Sequence, residues 1–309
     1  MSAADPTAPE PPRPTDATGA RTGRLLDEVA ANATVAPLTR LVDGWLCKAA
    51  PDLPFRRANA VLPAAAAGAD LRATAAALDV IEAWYRSFGQ RVLVQVSSAD
   101  PAGAALDEQL ARRGYVVEAP VDLLVGEVER VAEGGGAGDA WRVAVEAHAL
   151  AGTGPFAAGG PVPAGSEPPV SVVVDEGVSV AWARRYGAVH GEDAVWRART
   201  EAYGRMLGAL GPSILGGAAL VGDDVVAGVG FAVLERGWAG IYGMGTAPAW
   251  RRMGVARALL AELAEQARER FATHLYLQVE RDNPGAQALY RGLGFTDGHG
   301  YHYRASAPA

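Results

Sequence analysis

Between Met244 and Leu260 the chain reads M-G-T-A-P-A-W-R-R-M-G-V-A-R-A-L-L, a stretch with the residue types to hold an anion. Arg251, Arg252 and Arg257 concentrate positive charge there, in a chain whose formal net charge is −7. The segment falls where an expected strand turns into an expected helix. A helix start leaves N–H groups without partners and carries the positive end of the macrodipole. Gly254 lets an anion reach the backbone with no Cβ in the way, and Ala256 is nearly as small. Arg251-x-x-Gly254-x-Ala256 therefore has the makings of a pyrophosphate cradle. On spacing alone, a plain helix start with surface arginines fits equally well.

The elements around this stretch follow from patterning. Val255, Leu259, Leu263 and Ala267 recur every four residues, widened by Leu260, Ala264 and Phe271, so a helix is expected over Val255–Phe271. Trp238–Thr246 reads as the strand before it and His274–Val279 as the strand after it, followed by a helix over Pro284–Leu293 and a last strand from Phe295. Ahead of these, Val178–Gly187 and Glu192–Leu210 read as helices. Ala218–Val221 and Val225–Leu234 read as strands joined at Gly222-Asp223-Asp224. The order is that of an α/β fold with a mixed sheet.

A chain of 309 residues has a soft prior of two domains. The pattern repeats: VLVQV (Val92–Val96) parallels LYLQV (Leu275–Val279), with Gln95 and Gln278 separated by 183 residues. The same offset brings Asp100-Pro101 onto Asn283-Pro284 and Leu106 onto Leu289. Arg113–Tyr115 then matches Leu293–Phe295 after a three-residue slip. An internal duplication is expected. The expected division is a disordered tail over 1–23, a first unit over 24–130, a linker and loose connection over 131–170, and a second unit over 171–309. EGGGAG at Glu133–Gly138 and the Gly- and Pro-rich Gly152–Pro169 mark the connection.

With its flanks included, the second unit resembles the GNAT (Gcn5-related N-acetyltransferase) family. R-R-M-G-V-A (Arg251–Ala256) is similar to that family's Q/R-x-x-G-x-G/A loop. V-E-R-D-N-P-G-A-Q-A-L-Y-R-G-L-G-F (Val279–Phe295) looks like its second hallmark, an Asn followed seven residues later by a Tyr and then Gly-Phe. W-L-C-K and F-R-R-A-N-A-V-L-P early in the chain, with G-Y-H-Y-R late, resemble an actinobacterial subgroup of double-unit acetyltransferases. The resemblance implies tandem GNAT-like folds and acetyl-CoA as cosubstrate. Its acyl group would pass by direct attack to a primary amine of a small-molecule or peptide acceptor.

Site residues follow from the same resemblance. Met244, Gly245 and Thr246 would pair with the pantetheine arm. Amides over Arg251, Arg252, Met253, Gly254, Val255, Ala256 and Arg257 would take the pyrophosphate. Asn283 would contact the cofactor, or simply cap the helix ahead of Pro284. Tyr290 is the expected proton donor to the departing thiolate, since an unperturbed tyrosine has a pKa of about 10; a packing role is the other reading. Gly243 and Gly245 suit a bulged strand that splays from its neighbour, or close packing alone. Some family members carry a glutamate where this chain has Gln278. Glu280 shares that strand face and is the candidate base, acting directly or through water, while a solvated strand-end carboxylate is the plainer description. Glu235 and Tyr242 are further candidates.

In the first unit the corresponding loop reads G-A-D-L-R-A (Gly68–Ala73), without the leading arginine or central glycine and with Asp70 set to repel phosphate. The first copy is expected to be degenerate and to help shape the acceptor site. Asp43–Trp45 and Arg56–Asn59 are its distinctive clusters. Trp45, Trp84, Trp182 and Trp196 are expected in the core or between units, and His148 and His190 in structural roles.

Other classes recede. The acidic balance argues against a general grip on nucleic acid. Cys47 alone supports neither a disulfide framework nor a cysteine zinc site. His299-x-x-His302 lacks companion ligands, and no metal is expected; a surface strand is the expected setting. No secretory signal or membrane span is visible, so cytoplasm is the expected location. A non-catalytic acyl-CoA-binding or interaction protein is the competing functional reading, with Gln278 as its support.

Overall fold

In the computed structural model, the structure describes residues 17–134, 137–151, 170–191, 202–222 and 225–308. The first part of the chain supplies α1 (Ala17–Asn32), β1 (Leu38–Val42), β2 (Trp45–Ala49), a 3-10 turn at Arg56–Asn59 and β3 (Val61–Leu62). Then come α2 (Leu71–Arg86), β4 (Leu93–Ser97), α3 (Gly103–Arg112) and β5 (Val116–Glu127). After α4 (Val128–Ala132) and α5 (Ala137–Ala151) come β6 (Val170–Glu176), α6 (Val180–His190) and a helix, α7, at 202–208. The rest is β7 (Ile214–Val221), β8 (Val225–Glu235), β9 (Trp238–Thr246), α8 (Val255–Glu269), β10 (His274–Glu280), α9 (Pro284–Arg291) and β11 (Thr296–Ala305).

All eleven strands join one mixed sheet in the order β1-β2-β3-β4-β11-β5-β10-β9-β8-β7-β6. The repeat seen in the sequence is visible in its connections. β3 runs parallel to β4, with α2 between them in the chain. Likewise β9 runs parallel to β10, with α8 between them. The last strand of each half crosses over: β5 pairs antiparallel along β10 from Glu127 to Val121, and β11 pairs with β4. The two crossed strands also pair with each other and close the sheet into a continuous whole.

One face of the second half packs α8 through Val255, Ala258, Leu259, Leu260, Leu263, Ala264 and Ala267, the stripe expected from four-residue spacing. The opposite face carries α1 and α6, with Leu26, Val29, Trp182, Tyr186 and Phe231 in one core. A separate core under α2 and α3 contains Leu78, Ile81, Tyr85 and Leu110.

The structure departs from the expectations at five places. α8 ends at Glu269 rather than at Phe271, which turns out of the stripe at φ 63° and is 88% exposed. Residues 17–23 are helical rather than tail, because α1 extends back from its buried anchors Leu26, Val29, Ala30 and Ala33. Gly23 admits a close approach there: a Cβ on it would lie 2.4 Å from the Ala99 Cβ. Residues 137–151 form α5 rather than linker, with Trp141, Val145 and Ala149 one helical turn apart and buried against Trp250, Met253 and Val255. β7 begins at Ile214, before the expected Ala218. Gly216 and Gly217 hid it, and they are there because Trp182 and Leu259 press against them. β11 is an interior strand, not a surface one. The loose segment 152–169, Trp196 and most of the expected helix after Glu192 lie outside the described residues. Among those described, no helix is long and apolar enough to cross a membrane.

Candidate functional site

β9 and β10 pair only from His274↔Trp238 to Leu277↔Ile241. Beyond that point β10 stays bound to β5 on its other side, out to Glu280↔Val121. β9 is meanwhile bulged against β8: Val229 faces Gly245 and Phe231 faces Tyr242, leaving Gly243 and Met244 opposite the single residue Gly230. Gly243 sits at φ 60°, a conformation glycine takes without strain. A bulge bends its strand, and here the bend opens a cleft of about 490 Å³ between the two parallel strands.

Tyr242, Gly243 and Met244 line one side of the cleft, and Gln278, Glu280, Asn283 and Tyr290 line the other. Tyr290 is 9% exposed and lines the cleft with its ring against Phe295. Burial pushes its hydroxyl up to about 12, so it stays protonated at neutral pH. Asn283 caps α9, accepting the Ala286 N–H at 3.1 Å, with Pro284 in the first turn. Glu280 is half exposed and ion-paired with Arg56 at 3.1 Å. The carboxylate expected near the thioester is thus held from the first half of the chain.

At the mouth of α8, Gly254 is left-handed (φ 88°) and caps the helix, with Arg252 at φ 68° ahead of it. The Gly254 carbonyl accepts the N–H groups of Arg257 and Ala258. Among the described residues, no N–H from Arg252 to Ala256 donates to another backbone group. Successive free amides in a tight turn at a helix start form an anion nest. These residues fit a pyrophosphate. The arginines divide their work: Arg251 donates from Nε to the Thr246 carbonyl at 3.4 Å, and Arg257 runs toward the end of α9, against Gly292. Trp141 of α5 backs the loop, its backbone 3.7 Å from where a Gly254 Cβ would stand.

The matching loop in the first half is already filled. Asp70 Oδ1 takes the N–H groups of Arg72 and Ala73, so a carboxylate of the chain itself caps α2 where an anion would sit.

Two of the weaker candidates fall away. Glu235 ends β8 outside the cleft, where Asn32 donates to it at 2.9 Å. Burial pushes the Tyr242 hydroxyl up to about 12 despite Arg57 nearby and its bond with the Tyr276 hydroxyl at 2.8 Å, so it is no base at neutral pH. His299 and His302 are separately engaged, with Asp27 at 3.0 Å and Asp107 at 2.6 Å, and no metal-holding cluster occurs among the described residues.

Two residues reach this site beyond what the sequence reading gave them, and the first, His190, was expected in a structural role. The His190 ring lies tilted against Tyr186 (4.3 Å between centroids), and its Nε2 lies 3.4 Å from the Gly243 carbonyl. Any side chain at position 245 would strike its ring, which explains Gly245. Burial lowers the His190 pKa, partly countered by that carbonyl. The other is Arg57, singled out only as part of the Arg56–Asn59 cluster. It lines the cleft and donates to Gln278 Oε1 at 2.6 Å. Arg57 and Gln278 of β10 stand 221 positions apart, and no local pattern in the sequence signals their contact.

Residues 180–295 match the model of the acetyltransferase (GNAT) family. No curated protein matches the chain. Among solved structures, a GCN5-related N-acetyltransferase from Kribbella flavida superposes with a TM-score of 0.58 at 17% identity, over 94% of this chain and 96% of the other. A tandem GNAT protein from the clavulanic acid biosynthesis pathway gives 0.59 at 16%, over 92% and 88%. A conserved protein from Staphylococcus epidermidis, of unknown function, gives 0.55 at 10%, over 87% and 93%. At these identities the likeness is one of fold, and it extends across both halves of the chain.

Proposed function

We propose, from the match of residues 180–295 to the acetyltransferase (GNAT) family model, that the protein is an N-acetyltransferase using acetyl-CoA and a primary-amine acceptor. The observation that carries the proposal is the run of unengaged amides from Arg252 to Ala256 beside a bulged strand that has parted from β10. Acetyl-CoA, when bound, supplies an acetyl group activated as a thioester. The amides of 252–256 hold the pyrophosphate, with Arg251 at the entrance. Met244, Gly245 and Thr246 turn the side of β9 that no longer pairs with β10 to the pantetheine amides, and Asn283 fixes the opposite rim.

In the reaction the acceptor nitrogen forms a bond to the acetyl carbon as the carbon–sulfur bond breaks. Glu280 accepts the ammonium proton, directly or through water, and Arg56 orients its carboxylate. A bulge N–H near Met244 faces the charge that develops on the carbonyl oxygen. Tyr290 gives its proton to the departing sulfur and regains one from solvent. The domain division carries over as part of the proposal: a catalytic unit from 171 onward and a first copy over 24–130 that holds no coenzyme, with Asp70 filling its anion position. Cytoplasm is the proposed location.

A coenzyme-release assay across polyamines, aminoglycosides, amino acids and peptide N-termini tests this. Release that depends on one acceptor class supports it. Tight acetyl-CoA binding with no release for any amine favours a non-catalytic acyl-CoA-binding protein, the reading that Gln278 in place of a carboxylate permits.

A further inference from the structure

Arg57 is the unusual charge in this molecule. It projects from the 3-10 turn of the first half into the seam where the main cleft meets a second cavity of about 250 Å³. Pro54, Phe55, Arg56, Tyr301 and Tyr303 wall that second space, and Gln278 and Glu280 are shared between the two. The guanidinium lies 5.3 Å from the Tyr242 ring centre and makes one side-chain hydrogen bond, from Nη1 to the neutral Gln278 Oε1. No carboxylate pairs with it among the described residues; Glu280, the acid beside it, is engaged by Arg56. Lys48, which is buried, sits across a small void from the half-buried Arg57, with its Nζ on the Ala31 and Thr34 carbonyls. An arginine in such a place is ordinarily paired. Its planar fork has five N–H donors and most of them are unspent.

The loop that carries Arg57 is built to hold it still. Asn59 accepts the Ala50 N–H at 2.8 Å and donates to the Leu53 and Phe55 carbonyls at 2.8 and 3.0 Å. Ala58 is fully buried, and the Phe55 ring rests 4.7 Å from Tyr203. Tyr303 and Tyr301 line the second cavity beside it. A rigid cation with unspent donors, facing both the cleft and this cavity, is complementary to an oxyanion on the acceptor.

Resting on the acetyltransferase reading, we propose that Arg57 makes this site selective for acceptors that carry an oxyanion, a carboxylate or phosphate, on the same small molecule as the amine. The first half of the chain then supplies the specificity group of a reaction whose cosubstrate is bound by the second. Polycationic amines are disfavoured because they would set like charge against Arg57.

The test pairs each acid with its neutral analogue in the coenzyme-release assay: free amino acids against their amides, and phosphoethanolamine against ethanolamine, with spermidine as a polycation. Acetyl-CoA binding is measured separately by calorimetry. The expected result is at least about 100-fold higher kcat/KM for acids in one of the two series, which also tells carboxylate from phosphate. Arg57→Gln should remove most of that preference and leave acetyl-CoA affinity within about twofold. Arg57→Lys, which keeps the charge but loses the fork, should fall between. Equal turnover of acids and neutral analogues, turnover confined to spermidine, or no turnover of any acid overturns the proposal while acetyl-CoA binding stands. A parallel loss of acetyl-CoA affinity in Arg57→Gln also overturns it, by placing Arg57 on the cosubstrate. Absence of acetyl-CoA binding to the wild-type protein would instead remove the acetyltransferase reading itself. The wild-type comparison needs no variant to fold.

Discussion

Tyr290 illustrates how far single residues could be read. Its seven-residue spacing from Asn283 marked it in the sequence, and the structure puts it on the cleft wall, 9% exposed. Tyr290→Phe should lower kcat by about 100-fold while acetyl-CoA affinity holds, as measured by release rates beside calorimetry. With its pKa raised to about 12 by burial, Tyr290 should add no falling limb to the kcat–pH profile between pH 7 and 10. Glu280→Gln should slow turnover most at neutral pH and least in alkali, where the acceptor amine has already lost its proton. A loss independent of pH would remove Glu280 as base. Lys48 gives a separate stability signature: burial, with Arg57 nearby, lowers its pKa from 10.5 to about 7. The unfolded chain therefore binds more protons between these values, so this group makes stability rise with pH across that window. Lys48→Met should flatten the rise, read from urea unfolding at pH 7 and 9. None of this was legible for Lys48 or Arg57, because their surroundings are assembled from strands far apart in the chain.

Among the elements, α8 was the most legible, since its four-residue apolar repeat is the direct trace of one buried face. Its start depends on Gly254. Gly254→Ala should be tolerated in space but strained at φ 88°, costing about 1–2 kcal/mol. α5 was missed because EGGGAG drew the eye to a linker, although Trp141, Val145 and Ala149 carry the helical spacing just beyond it. By backing the loop ahead of α8, α5 ties the connection between the halves to the candidate site. Trp141→Ala should destabilise the protein by about 3–5 kcal/mol, seen in denaturant unfolding. A change below 1 kcal/mol would mean that α5 is not packed there. β7 was recognised only from Ala218 onward, for the opposite reason: the glycines that admit Trp182 and Leu259 erase the strand pattern of its first half.

For the whole molecule, the 183-residue offset exposed the duplication, and the mixed α/β fold followed from element order. The exchange of β5 and β11 left no trace in composition or periodicity, since a strand pairs equally well with either half's neighbour until tertiary packing chooses. That exchange makes each half the supplier of a strand to the other. Residues 137–309 expressed alone would leave β10 with an unpaired edge, a template for aggregation, and should not show the cooperative unfolding of the full chain. Co-expression with 1–136 should restore it. The most direct measurement of the central claim is calorimetric titration of acetyl-CoA into the full chain and into Gly254→Asp, which places a carboxylate in the cradle as Asp70 does in the first half. The expected result is one acetyl-CoA per chain for the wild type and none for the variant, with both proteins folded by circular dichroism. Wild-type protein that does not bind acetyl-CoA, or a variant that binds it equally well, would contradict the assignment.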